Sequence, residues 1–383
     1  MTVEEILKNE ELRRYEFPVT SNRIYLSHAG VCSLPRRVAA AMNQLAESSI
    51  SQDQESAAGH ELFSETRALA ARLIECQPGE IAFVGPTSLA LSYVAGGIYF
   101  SRHSNVLIYH DDYPANVYPW MTLADRGVEV RLMNIRQLGR IRPQDVTGQV
   151  DENTKLVALA SCHYLAGYRI DIAAIGKELK ERNILFSLDA IQTLGAFPTK
   201  VESVDFLCSG AHKWLLGPCG AGLMYVRQEI QEKLRPIAHG WFNVRSPNFV
   251  ASDEMVYRSD ARKYEAGTHN LAGLAGLKAS LELILELGVD NIAAELLRKR
   301  AWVTPELQRK GFTVLQADSP KQNWGGMFSF YAEGKDMAEL HQKLEAAGIW
   351  VNLRIDRTGK KYIRISPHFF NTDEELNRML ELL

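Results

Sequence analysis

Short apolar runs bounded by polar residues recur along the chain, and stretches with helical spacing lie between them. Ile81–Val84, Val106–Tyr109, Val128–Met133, Leu156–Ala160, Ile184–Leu188, Val204–Cys208 and Leu223–Val226 have the length and texture of strands buried on both faces. Helical spacing marks Pro35–Ser48, His60–Cys76, a stretch from Gly85 towards Phe100, Ile172–Arg182 and Leu271–Glu286. Strands alternating with helices predict an α/β fold built on a mostly parallel sheet covered on both faces. Ligands of such a sheet sit beyond the carboxyl ends of the strands. Before this region, Thr2–Arg14 reads as one amphipathic helix in which Thr2 and Glu5 can form a capping box. A polar loop is expected after Phe242, lasting to Arg262.

From about Val289 the pattern changes. A long helix (Ile292–Lys310) leads to strands Thr313–Leu315 and Met327–Tyr331. Helix Met337–Ala347, strands Trp350–Arg354 and Tyr362–Ser366, and a closing helix from Asp373 complete an α+β arrangement. The expected organisation is an N-terminal arm (1–20), a large domain (21–288) and a small C-terminal domain (289–383).

Composition narrows the function. With 383 residues the chain exceeds the usual size of a single core, and 46% apolar residues can fill two. A formal net charge of −3 without a Lys/Arg block argues against nucleic acid or an anionic membrane as partner. Five scattered cysteines, with no Cys-x-x-Cys pair, suit a reducing compartment better than a disulfide scaffold or a zinc site. The first residues, Met-Thr-Val-Glu-Glu, are too acidic and polar for a signal peptide, so a cytoplasmic location is expected.

The candidate chemistry lies between Asn183 and Arg227. Asp189 ends one buried run and Gln192 follows it; Ser209, His212 and Lys213 lie just beyond the next. A carboxylate at a strand end, with a lysine at a nearby strand exit, is what pyridoxal 5'-phosphate requires. The lysine supplies a Schiff base, and the carboxylate keeps a proton on the pyridine nitrogen so that the ring can act as an electron sink. Gly85-Pro86-Thr87-Ser88, a small-residue turn into a helix, leaves free amides that suit an anion.

Ser-Leu-Asp-Ala-Ile-Gln-Thr-Leu-Gly, followed by Ser-Gly-Ala-His-Lys-Trp-Leu-Leu-Gly-Pro-Cys-Gly, resembles the cofactor signature of the class V aminotransferases. That group belongs to fold type I of the pyridoxal-phosphate enzymes and includes cysteine desulfurases, kynureninase-like and isopenicillin N epimerase-like enzymes. The resemblance implies a seven-stranded-type sheet in the large domain and a homodimer with active sites at the subunit interface. It assigns Lys213 and Asp189 the catalytic roles and Gln192 the cofactor's phenolic oxygen. It groups Thr87, Ser88, Ser209 and His212 around the phosphate. Tyr113 takes the place of a ring-stacking histidine. Glu265-Ala266-Gly267-Thr268-His269-Asn270 is similar to a segment that reaches the neighbouring subunit's phosphate, which makes Thr268 a contact across the dimer, with Trp241 a weaker candidate. Arg364, in Ile363-Arg364-Ile365-Ser366-Pro367, matches the arginine that binds the substrate α-carboxylate. Arg169 and Asp171 read as a structural ion pair, and His163 as a hydrogen-bonded structural histidine.

The implied reaction begins with a small amino acid joined to the cofactor and deprotonated at Cα. Transamination is the first reading; C–S bond lysis or epimerisation on the same scaffold is the alternative, and a non-catalytic cofactor-binding protein is the third. Persulfide-forming desulfurases carry a cysteine shortly before the substrate arginine. None lies between Gly348 and Arg364, which argues against that mechanism while leaving direct C–S lysis open.

Overall fold

The computed structural model describes residues 1–245, 250–251 and 253–383. The N-terminal helix expected over Thr2–Arg14 is two helices, Val3–Lys8 and Glu10–Glu16. The Thr2–Glu5 capping box forms on the first, and Asn9 ends it and caps the second by accepting from the Leu12 amide at 3.0 Å.

Strand β1 (Ile24–Tyr25) precedes a central sheet made of β2 (Ile81–Ala82), β3 (Asn105–Ile108), β4 (Glu129–Leu132), β5 (Thr154–Ala160), β6 (Leu185–Asp189), β7 (Phe206–Gly210) and β8 (Gly222–Val226). Their order is β2-β8-β7-β6-β5-β3-β4, and β8 alone runs antiparallel to its neighbours. The fold is therefore α/β with a mostly parallel seven-stranded sheet. Alternation within the apolar runs explains why both faces are covered. Leu107, Val157, Phe186, Leu188, Leu207 and Leu223 share one core with the helix Leu271–Leu287. Val106, Ile108, Leu156, Leu185, Phe206 and Cys208 share another with the helix Thr87–Gly97.

A third core belongs to the C-terminal part, where β9 (Thr313–Val314), β10 (Phe328–Tyr331), β12 (Asn352–Ile355) and β13 (Lys361–Ile365) form an antiparallel sheet in the order β12-β13-β10-β9. The strand expected over Trp350–Arg354 is broken at Val351. Its first half, β11 (Ile349–Trp350), pairs in parallel with β1 instead of joining β12. The segment after β1 is clipped to both parts of the molecule. Leu26 donates its amide to the Trp350 carbonyl at 2.8 Å and His28 to that of Ser366 at 3.2 Å; Cys32 donates to that of His212 at 2.7 Å. Part of the expected polar loop, positions 246–249 and 252, lies outside the described residues. Among those described, no helix is long and apolar enough to cross a membrane.

Candidate active site

A cleft of about 680 Å³ opens between the carboxyl ends of the central strands and the C-terminal sheet. Asp189 and Lys213 both line it, as do Thr87, Ser88, Tyr113, Gln192, His212 and Arg364.

Asp189 closes β6 on the sheet face that also carries the helix Thr87–Gly97, side by side with Cys208. It is 3% exposed, and its side chain accepts one hydrogen bond, from the Ile191 amide at 3.0 Å. Burial, aggravated by the nearby Asp112 carboxylate, pushes its pKa up. A buried carboxylate with this little support is matched to a positively charged or proton-bearing ligand group. Lys213 sits in a tight turn after β7, where Leu216 at φ +60° returns its amide to the Lys213 carbonyl at 3.1 Å. Its amine lies 5.3 Å from the centre of the Tyr113 ring. Burial, with a further push from Arg364, depresses its pKa, so a neutral, proton-accepting amine is accessible near neutrality.

The anion end is built from a close approach of backbone. The Gly210 amide donates to Thr87 Oγ1 at 2.8 Å, which leaves the hydroxyl proton free to donate to a ligand at the first turn of its helix. A Cβ at Gly210 would come within 3.1 Å of His212 Nδ1 and 3.3 Å of Thr87 Oγ1, so glycine lets the three converge. Gln192 is held on both sides: its Nε2 donates to the Ala29 carbonyl at 3.2 Å, and its Oε1 accepts from Trp214 Nε1 at 2.9 Å. One amide proton remains for the cleft.

On the facing wall Arg364 is 1% exposed and fixed by two bonds, from Nη1 to the Tyr164 carbonyl and from Nη2 to Asn352 Oδ1, each 2.7 Å. Tyr164 also packs edge-on against Tyr113, with ring centres 5.4 Å apart.

The aminotransferase class-V family pattern matches residues 24–379. The chain belongs to the class V aminotransferases. As a class V enzyme it is pyridoxal-phosphate-dependent, an aminotransferase or a lyase, and the cleft fits that cofactor. Lys213 and the under-supported Asp189 carboxylate meet in one cavity, together with Thr87 and His212, which a side chain at Gly210 would crowd. A probable cysteine desulfurase of Methanothermobacter thermautotrophicus is 29% identical, covering 98% of each chain. An uncharacterised aminotransferase of Bacillus subtilis is also 29% identical, over 81% of this chain and 80% of its own. Among solved structures, the cysteine desulfurase of Thermococcus onnurineus superposes with a TM-score of 0.88 at 23% identity, covering 96% of both chains. The cystine C–S lyase C-DES, in complex with cysteine persulfide, does so with 0.87 at 20%, covering 95% of this chain and 98% of its own.

Two predicted residues of the class V site do not line this cleft. Ser209 lies one position out of phase on β7: Cys208 and Gly210 flank it on the cofactor face, so its side chain is turned to the other side of the sheet. It is buried, and its hydroxyl donates to the Gly210 carbonyl at 3.1 Å. Thr268 lines a separate cavity with Trp241, Phe63 and His269. The expected Arg169–Asp171 pair does not form. Arg169 donates instead to the carbonyls of Trp324 (2.7 Å) and Gln322 (2.6 Å), and Asp171 caps the helix Ile172–Glu181. His163 is structural, with Nε2 at 2.9 Å from the Asp111 carbonyl and Nδ1 accepting from the Ala166 amide at 2.9 Å.

Sequence reasoning passed over Gly210, Tyr164, Asn352 and Asp112. Asp112 is buried and takes hydrogen bonds from the amides of Tyr113 (2.7 Å) and Ala160 (3.2 Å) and from Asn116 Nδ2 (3.0 Å), thereby fixing the backbone of Tyr113. The signal available for Gly210 was strand phase; the other three take part through tertiary contacts alone.

Proposed function

We propose that this class V enzyme is a C–S lyase that eliminates the sulfur substituent of a cysteine-type amino acid. The observation that carries the reading is the absence of thiol from the cleft. Cys32, Cys162 and Cys208 are buried, Cys208 in the strand beside Asp189, and none of the five cysteines lines the cavity. A departing sulfur therefore meets no protein thiol and leaves as a free product. The likeness to relatives named as cysteine desulfurases and to a cystine C–S lyase supports sulfur as the leaving atom.

When bound, pyridoxal phosphate supplies an electron sink attached to the substrate nitrogen. The protein's residues do the rest. Arg364, already held by Tyr164 and Asn352, offers its remaining donors to the α-carboxylate and fixes the orientation of Cα. The neutral Lys213 amine would remove the Cα proton, and Asp189 would keep the cofactor's ring protonated so that it can serve as that sink. The Cβ–S bond then breaks with its electron pair on sulfur, which takes up a proton. Addition of water to the remaining three-carbon unit gives pyruvate and ammonia. Cysteine plus water thus yields pyruvate, ammonia and sulfide; cystine plus water yields pyruvate, ammonia and cysteine persulfide.

The homodimer expected from the resemblance is part of this proposal. Because Thr268 lies in a cavity apart from Lys213, the phosphate contact expected of it requires a second copy of the chain. Five free cysteines suit a reducing compartment and support a cytoplasmic location.

The test is to give the cofactor-loaded enzyme cysteine or cystine as sole substrate. Pyruvate and ammonia should appear in equal amounts without any added 2-oxo acid, together with sulfide or persulfide. An enzyme that stays silent until a 2-oxo acid is added, and then releases no sulfur, is an aminotransferase, the reading favoured by the Bacillus subtilis relative.

A further inference from the structure

We propose that Arg354 determines substrate choice by holding a second carboxylate, at the far end of an amino acid whose α-carboxylate rests on Arg364. The inference deepens the C–S lyase reading and shares its assignment of Arg364. It starts from strand register. Asn352 lies directly opposite Arg364 on β12 and β13, and Arg354 lies opposite Tyr362. Residues two apart on a strand share a face, so Asn352, Arg354 and Arg364 all present their side chains to the cleft that they line.

The two arginines are treated differently by the fold. Arg364 is buried and braced by Tyr164 and Asn352. Arg354 is half-buried and has neither a hydrogen bond nor an ion pair among the described residues; its Nε, like that of Arg364, is buried without a partner. The surrounding charges offer it nothing. Lys213 and Arg364 are like charges, Asp189 lies at the sheet, and Glu345 faces His341 at 3.6 Å. Holding a second guanidinium beside Arg364 and Lys213 with no ion-pair partner of its own is unfavourable in the free protein. A ligand anion removes that cost.

Register also sets the spacing. Two strand residues separate the backbone positions by roughly 7 Å, and a carboxylate seated in the fork of the braced Arg364 leaves the donors of Arg354 for a second anionic group. A two-headed molecule supplies both. Cystine carries its second carboxylate across the disulfide, dicarboxylic amino acids carry theirs on the side chain, and cysteine has none. The same hairpin that orients the reacting end therefore measures the length and charge of the other.

The experiment compares the loaded wild type with Arg354→Leu and Arg354→Lys. First, kcat/KM is measured for cystine, aspartate, glutamate and cysteine. Arg354→Leu should lower the value for the preferred two-headed substrate on the order of 10- to 100-fold and leave cysteine within about twofold; Arg354→Lys should recover part of the loss. Dependence seen with cystine or with a dicarboxylic amino acid identifies which second head is used. Second, binding of the inert dicarboxylate glutarate and of the monocarboxylate butyrate is measured by calorimetry, without turnover. The wild type should prefer glutarate, and Arg354→Leu should lose that preference. Equal loss for cystine and cysteine, or glutarate binding unchanged by Arg354→Leu, overturns the proposal. If no sulfur substrate is consumed, the lyase reading fails, and the glutarate–butyrate comparison still decides the role of Arg354.

Discussion

The two walls of the cleft are held in place by different means. On the sheet wall, backbone positions the chemistry: Asp189 ends a central strand, Thr87 opens a helix, and Lys213 sits in a turn fixed by main-chain bonds. On the facing wall the chemistry rests on long side chains, one braced by the Tyr164 carbonyl and the Asn352 side chain, as Arg364 is, and one standing alone, as Arg354 does. The first arrangement suits steps that every substrate shares. The second can be altered residue by residue without disturbing the sheet, which suits discrimination among substrates.

That contrast breaks if substitutions on the two walls act on the same kinetic constant. The largest effect is expected from Lys213→Ala: kcat falls by at least roughly 10³-fold, and borohydride no longer fixes the cofactor to the Lys213 peptide by mass spectrometry. Asp189→Asn should lower kcat on the order of 10²-fold with little change in KM. Arg364→Leu should act the other way, raising KM for the amino acid roughly 10- to 100-fold while kcat changes less; steady-state kinetics distinguish the two patterns.

A further test concerns the seam between the walls, where two buried imidazoles serve as struts. His163 precedes Tyr164, and His368 is placed 3.1 Å from the Trp214 carbonyl, next to Lys213. Burial pushes His163 down to about 4 and His368 down to about 3, against an unfolded value of 6.5. Between those values the unfolded chain binds more protons than the folded one. Stability is therefore intact above pH 6.5 and is lost as pH falls below it, at about 1.4 kcal/mol per pH unit for each histidine. Denaturant unfolding at pH 7 and pH 5 should show the decline, and His163→Gln should make it shallower by one such increment.

The smallest effect is expected on β7. Gly210→Ala places a Cβ against His212 and Thr87 and should weaken cofactor binding about tenfold, whereas Ser209→Ala should leave it within about twofold. The reverse result would mean that the phosphate end is built on the other face of the strand.

This pair of neighbours also marks how far the sequence can be read. Apolar runs and their spacing predict the sheet, because a strand buried on both faces has few polar residues to confuse the period. Asp189 and Lys213 stand out because a charge at the end of such a run has no packing role. The motif identifies a hydroxyl near the lysine but not the face to which it turns, and Ser209 turns away from the cleft. The helix break at Asn9 and the strand break at Val351 are single-residue events inside continuous patterns, decided by a cap in one case and by pairing with β1 in the other. Arg169 and Asp171 carry opposite charges two residues apart, yet local spacing could not reveal the Trp324 and Gln322 carbonyls that claim the arginine. Arg354 was silent for the same reason: what sets it apart is the lack of any partner, which only tertiary structure can show.

The short segment from Leu26 to Cys32 gives these two walls a mechanical linkage. Its first half is zipped to Trp350 and Ser366, while its second half supports Gln192 through the Ala29 carbonyl and His212 through the Cys32 amide. This strap thus joins the sheet that carries the arginines to two groups beside the lysine. Seven residues therefore set the spacing between the substrate-facing arginines and the reacting centre.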